Sequence, residues 1–307
     1  MRVAFVGQST FFEACALEDG ASAWTATFVE FRKDGDAGAL RRALADFGPD
    51  AVVVFRPEVV PAGLLADLDA PTLGFLTEPL PRHGGVVAHD DLERRLWELG
   101  LVDGAQFDRI VSFDPHIART ADAVLPVWRS APLPVADRYY APVPARSGPP
   151  SPLFVGRSTP HREAFLARAK HHYDVLHLAF GVDADGLEEV MAQHDVGINV
   201  HNNPYPSFEN RVCLHLAAAH LVLSEPLDPT HGLEPGIDFL EVHNAGQLEL
   251  ALWNLHRHPG LHHRIRVRGR RKAEQFRASR VWPRLLTDLL AEVRAHGGRR
   301  SRATSAV

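Results

Sequence analysis

Residues 195–225 constrain the fold of this chain more than any other stretch. A short β-branched run over residues 196–200 reads as a buried strand. A polar loop of Asn, Pro and Ser follows, then an apolar stretch of helical length over residues 212–219, then a second short run, Leu221-Val-Leu-Ser224. Strand, loop, helix and strand make a βαβ unit, because two parallel strands need such a crossover. The loop then lies at a strand's carboxyl end and at a helix N-terminus. Backbone N–H groups and the positive end of the helix dipole favour an anion there. Ser207, Asn210 and Arg211 stand in that loop, and a guanidinium can pair bidentately with a phosphate.

The rest of the chain repeats the alternation. Residues 2–6, 23–31, 49–55, 72–76 and 109–113 read as strands. Helical patterns occupy 37–47, 61–68 (with Pro61 in the first turn) and 91–99, and another helix starts at Asp114 as N-cap with Pro115 at N1. The proline- and glycine-rich residues 133–152 read as an interdomain linker without regular structure. The pattern then restarts with strands at 153–155 and 175–178, a helix ending near residue 171 and another over 185–193. After the opening unit come a short strand within 232–241, helices over 244–257 and 261–277, and an amphipathic helix over 282–296. The expected organisation is an α/β domain over 1–132, the linker, a second α/β domain over 153–281, the helix at 282–296, and a disordered tail over 297–307. Both domains are expected to be doubly wound parallel sheets. Ligands of such sheets bind at the carboxyl ends of the strands, so the space between the domains is the expected site.

Composition excludes several partners. At 307 residues the chain is long enough for two cores, and with 45% hydrophobic and 23% charged residues it is globular in character. A net charge of -5 and a pI near 6.4 argue against a nucleic-acid partner. Cys15 and Cys213 are isolated in apolar segments and read as core residues. The first residues read as a strand rather than a signal peptide, and no run approaches the ~20 apolar residues of a membrane-spanning helix. No integral membrane segment and a cytoplasmic location are expected.

Two residue sets could carry chemistry. Gly156, Arg157, Ser158, His161 and Arg162 lie on one strand-to-helix turn; Ser207, Glu209, Asn210 and Arg211 lie on another turn of the same sheet. Together they offer amides, hydroxyls and guanidiniums to a diphosphate. The Asp-x-Asp pairs (Asp34/Asp36, Asp67/Asp69, Asp183/Asp185) and the histidines at 256, 258, 262 and 263 read as turns rather than metal ligands, so neither a metal nor a cofactor is expected. No Gly-x-Ser-x-Gly elbow is present.

An ordered set of motifs covers roughly residues 130–290. It comprises Phe154-Val-Gly156 with His161-Arg162, Phe180-Gly181, Asp195-Val-Gly-Ile-Asn-Val-His201 and Asn210-Arg-Val212. Ala217-Ala-Ala-His-Leu-Val-Leu-Ser224, Glu234-Pro-Gly236 and the helix from Asn244 complete it. Together they resemble the C-terminal domain of glycosyltransferases related to the spore maturation protein CgeB, a group similar to the large retaining family of GT-B fold that uses nucleotide sugars. The resemblance implies a GT-B fold, two Rossmann-like domains facing across a cleft, and transfer of a sugar from a nucleotide-diphosphate sugar, as substrate, to a small-molecule, glycan or protein acceptor without a metal. It implies that Gly156, Arg157, His161, Arg162, His201, Ser207, Glu209, Asn210 and Arg211 hold the donor. A proton acceptor is expected from the N-terminal domain: Glu78 first, then His116 and Asp114, the last suited also to capping its helix. The sequence departs from the group at two places. Leu214 stands where a ribose-binding glutamate is usual, with Glu209 as a substitute from the preceding loop, and Ala219 stands where a glycine usually ends the helix. A non-catalytic GT-B-like binding or partner protein and a nucleotide-sugar epimerase are the alternatives.

Overall fold

A computed structural model describes residues 1–82, 90–145, 148–179, 182–202 and 206–298. The Phe180-Gly181 pair, residues 203–205 of the polar loop and the tail from 299 lie outside the described residues. The chain divides into two compact units, Met1–Asp137 with Ala278–Val307, and Arg138–Arg277.

In the first unit the elements run β1 (Arg2–Gly7), α1 (Ser9–Phe12), β2 (Thr25–Glu30), α2 (Ala37–Phe47), β3 (Ala51–Phe55), β4 (Thr72–Leu76), α3 (Asp90–Leu99), β5 (Arg109–Ser112), α4 (Pro115–Asp122) and β6 (Arg129–Ser130). The strands form one sheet in the order β2-β1-β3-β4-β5-β6, parallel throughout. β3, Ala-Val-Val-Val-Phe, is buried at every position, as a central strand covered on both faces must be. Its alternate side chains enter two cores, Val53 and Phe55 on one face and Val52 and Val54 on the other.

In the second unit the order is β7 (Pro152–Val155), α5 (Pro160–His172), β8 (Leu176–Leu178), α6 (Ala184–Gln193), β9 (Val196–Asn199), α7 (Asn210–Ala217), β10 (Leu221–Ser224), β11 (Leu240–Glu241), α8 (Ala245–Arg257) and α9 (His263–Lys272). The sheet order is β11-β10-β9-β7-β8, again all parallel. The expected βαβ unit is present as β9, α7 and β10. α5 and α8 supply Phe165, Leu166, Leu248 and Leu252 to one core with Ile198 and Leu223 of the sheet. On α7, His215 lies so close to β9 that a side chain at Gly197 would collide with its ring.

α10 (Ala278–His296) returns to the first unit, starting before the expected residue 282. Its Trp282 is fully buried beside Phe5, Phe55 and Phe75, and the indole Nε1 donates to Cys15 O at 2.8 Å.

Two expectations give way. Residues 61–68 are not a helix but a chain of single turns. Gly63 has a φ of +70°, and the backbone polar groups are claimed by distant side chains. Asp103 accepts from Gly63 N (2.9 Å), while Gln106 accepts from Leu65 N (3.1 Å) and donates to Pro61 O (3.2 Å). Residues 133–152, expected to lack regular structure, contain a 3-10 turn at Asp137–Tyr139 and are pinned by burial of Leu133, Val135, Ala136 and Tyr139. The Tyr139 hydroxyl donates to Ala184 O at 2.8 Å and that of Tyr140 to Ala273 O at 2.9 Å.

Candidate anion site of the second unit

In the sheet order β11-β10-β9-β7-β8 the winding reverses between β7 and β9, and such a switch point opens a crevice at the strands' carboxyl ends. β7 ends into Gly156 and Arg157; β9 ends at Asn199 and continues as Val200 and His201. Every donor-site residue expected from the sequence lies on this edge of the second sheet or in the first turns of α5 and α7 that follow it.

Gly156 has a φ of +153°, and a Cβ there would lie 3.0 Å from Arg211 Nη2 and 3.3 Å from Arg162 Nη1. The glycine is what lets two guanidiniums close over the strand end. Arg162 is 2% exposed. Its Nε donates to Val200 O (3.0 Å), Nη1 to Arg157 O (3.0 Å) and Nη2 to the Glu209 carboxylate (3.3 Å). Arg211 Nη1 donates to Asn199 Oδ1 (2.9 Å) and Val200 O (3.0 Å), and its Nη2 to Glu209 (3.1 Å). The Phe154 ring lies under both cations, at 5.4 and 5.2 Å from its centroid. Burial, then the neighbouring Arg211, bring Arg162 down to about 9, so it stays charged at neutral pH.

Arg211, read from the sequence as able to pair bidentately with a phosphate, is held by protein partners here, as is Arg162. Two of the three hydrogen bonds each arginine makes go to backbone carbonyls or Asn199, which locks their geometry. The Nη2 groups of the pair converge on one carboxylate, that of Glu209. Burial raises the Glu209 pKa, but Arg211 and Arg162 outweigh it and hold the group below its usual range. Glu209 is the N-cap of α7, yet its side chain makes no cap hydrogen bond.

A second network stands beside the first. Glu225, at the end of β10 and 7% exposed, accepts from His201 N (2.6 Å) and faces His161 Nε2 at 2.9 and 3.1 Å. His201 Nε2 lies 2.8 Å from Pro226 O and its Nδ1 2.9 Å from Ser207 Oγ. The Pro226 carbonyl can only accept a hydrogen bond, so Nε2–H donates to it and Nδ1 accepts from the serine. Burial lowers the His201 pKa and keeps the ring neutral. Arg157 reaches outward, its Nε donating to Asn202 Oδ1 at 3.2 Å, and Asn210 opens α7.

The sequence reading missed Asn199, Phe154 and Glu225. Asn199 is fully buried, gives Nδ2 to Ser224 Oγ (2.9 Å) and orients Arg211. Its one signal is a polar residue closing an otherwise apolar strand; Glu225 carries the matching signal at the end of β10.

At the two departures, Leu214 is 8% exposed and α7 carries no acidic residue. Ala219 adopts a φ of +61°, the left-handed geometry that explains why a glycine is usual there.

Glu78 and His116 lie in the first unit, at the carboxyl ends of the neighbouring strands β4 and β5. Glu78 is paired with Arg95 Nη2 (3.0 Å) and lies 3.8 Å from Arg56 Nε. It lines a cavity with Glu58, Thr77, Arg95 and Glu98. Glu58, absent from the sequence reading, is bonded to Arg56 Nε at 2.8 Å, and burial raises its pKa. His116 is exposed in the first turn of α4. Asp114 serves as the helix cap, accepting from His116 N at 2.7 Å.

No protein-family model and no curated protein match the chain. Solved structures do. HepE from Anabaena, in complex with UDP and glucose, is 12% identical with a TM-score of 0.61, covering 95% of this chain and 100% of that one. Sucrose-phosphate synthase from Thermosynechococcus elongatus is 13% identical with a TM-score of 0.59, covering 95% and 99%. UDP-GlcNAc 2-epimerase from Neisseria meningitidis, bound to UDP-GlcNAc, is 10% identical with a TM-score of 0.52, covering 95% and 100%. At such identities the likeness is one of fold. The chain consists of two parallel-sheet α/β domains, matching structures of GT-B fold.

Proposed function

We propose that this chain is a glycosyltransferase that moves a sugar from a nucleotide-diphosphate sugar to an acceptor without a metal ion. The observation that carries the reading is the convergence of Arg162 Nη2 and Arg211 Nη2 beside Gly156, at the switch point of the second sheet. The donor diphosphate takes the place of the Glu209 carboxylate on the two guanidiniums, assisted by the amides at the start of α7. When the sugar–diphosphate bond breaks, the sugar passes through an oxocarbenium-like state and the leaving diphosphate gains negative charge. Fixed cations stabilise that charge more in the transition state than in the ground state. The acceptor's proton goes to a group of the first unit, Glu78 first and His116 second. HepE is named in complex with UDP-glucose, which makes UDP and its sugars the first ligands to try.

Isothermal titration with UDP, GDP and TDP, with and without Mg²⁺, tests the reading. Heat with one nucleotide, independent of Mg²⁺ and lost in Arg211→Ala, is expected; silence with all of them removes the enzyme reading. A second reading, a nucleotide-binding protein without transfer, draws on Leu214 and on the absence of any carboxylate on α7. Donor hydrolysis or transfer separates the two, since a pure binder consumes no donor.

A further inference from the structure

Arg264, Arg266, Arg268, Arg270, Arg271 and Lys272 follow one another on α9, and no Asp or Glu falls between Ala251 and Ala273, in a chain of net charge -5. The helix sorts its arginines by face. Arg266 is buried, giving Nε to Ala219 O and Nη1 to Pro144 O (3.0 Å), and Arg270 binds Ala141 O and Glu274, both at 2.8 Å. Arg264, Arg268 and Arg271, at spacings i, i+4 and i+7, are exposed along one stripe. Among the described residues no carboxylate pairs with any of the three.

The turn between α8 and α9 is tight, with Leu261 N donating to His258 O (2.8 Å) and His263 N to Gly260 O (3.3 Å). The last turns of α8 and the first of α9 therefore share a corner. On it Trp253 is 49% exposed and Leu261 38%, and the Arg257 guanidinium lies 5.8 Å from the Trp253 ring centroid. Trp253 left in water beside the Arg257 guanidinium, with Leu261 exposed in the turn that leads into the arginine stripe, suits one environment better than others. The headgroup layer of a bilayer takes the rings and aliphatic chains and supplies phosphates to the cations. A nucleic acid would use the arginines but leave Leu261 in water.

We propose that the α8–α9 corner docks on an anionic membrane surface. Trp253 and Leu261 enter the headgroup layer, while Arg257, Arg264, Arg268 and Arg271 meet lipid phosphates. The proposed contact is a peripheral one, and no helix among the described residues is long and apolar enough to cross a membrane. This goes beyond the nucleotide-sugar reading and does not depend on it.

The test is co-sedimentation of the full chain with phosphatidylcholine vesicles, with and without about a third phosphatidylglycerol, at low and high salt. Binding to the anionic vesicles alone, lost at high salt, is expected. The double variant Arg264→Gln/Arg268→Gln should weaken it roughly 30-fold, since each basic residue at such a surface is worth about a fivefold change. Trp253→Ser should weaken it further without changing the salt dependence. Equal binding to both vesicle types, none to either, or an unchanged double variant overturns the proposal. So does displacement from the vesicles by a single-stranded oligonucleotide at equal charge, which would mark the stripe as a nucleic-acid site.

Discussion

The two sheets are wound alike, β2-β1-β3-β4-β5 in the first unit matching β8-β7-β9-β10-β11 in the second. Their carboxyl edges nevertheless carry opposite chemistry. In the second, two guanidiniums are immobilised by backbone carbonyls and share one carboxylate, leaving excess positive charge at the switch point. In the first, Glu58, Glu78 and Glu98 gather around Arg56 and Arg95, and both of these cations are matched by a carboxylate. Winding supplies the crevice, and the residues just past the strand ends decide what the crevice can hold.

The comparison breaks most visibly with matched arginine variants. Arg211→Ala removes a buried partner of Glu209 and should weaken pyrophosphate or nucleotide binding by about 3 kcal/mol, roughly a hundredfold or more. Arg95→Ala, its counterpart in the first unit, should leave that affinity unchanged by calorimetry. Equal losses would mean that the anion does not choose between the two edges.

Glu209→Gln sharpens the contrast from the other side. Without the internal anion both Nη2 groups are free for a ligand, so pyrophosphate should bind about tenfold more tightly, on the order of 1.4 kcal/mol. Weaker binding would instead make Glu209 a ligand contact. The variant fold is followed by thermal melting, where pyrophosphate should raise the midpoint more than it does for the parent.

Beneath the second edge, Ala219→Gly should stabilise the protein by about 1 kcal/mol in urea unfolding, because glycine adopts the φ of +61° without the Cβ penalty. A loss of stability would show that the Ala219 methyl packs usefully.

The gentlest effect is the pH response of the two units, which should have opposite signs. His215 and His201 have pKa values lowered by burial, so the second unit holds its stability above about pH 6.5 and loses it as pH falls below. Glu58 is raised by burial; its contribution is full below the ordinary carboxylate range and is lost as pH rises through its folded value. Hydrogen exchange by peptide should show acid opening β9 and α7 before β3 and β4. The reverse order would reject this assignment.

What could be read from the chain alone follows from local rules. The β-branched runs of β3 and β9, the Asp114-Pro115 helix start and the helix from residue 244 depend on neighbours within a few residues, and the structure repeats them. That the residues flanking β7 and β9 would gather at one sheet edge was legible for the same reason, since the carboxyl ends of parallel strands lie side by side. Residues 61–68 were misread because Asp103 and Gln106, some forty positions away, satisfy that backbone in place of helical bonds. The return of α10 to the first sheet likewise has no local signal. Only a cavity shaped for Trp282 among Phe5, Phe55 and Phe75 puts it there.

The anion site divides along the same line. Sequence by itself determined that arginines, a glycine and a helix start would meet at one sheet edge, because periodicity fixes which residues follow each strand. Tertiary structure decided that Asn199 and the Val200 carbonyl would lock Arg211, and that the Nη2 groups of Arg162 and Arg211 would converge on the Glu209 carboxylate. Those contacts join the end of β9, the start of α7 and, through Arg162, the first turn of α5, and their energies depend on distance and burial, which no spacing along the chain encodes.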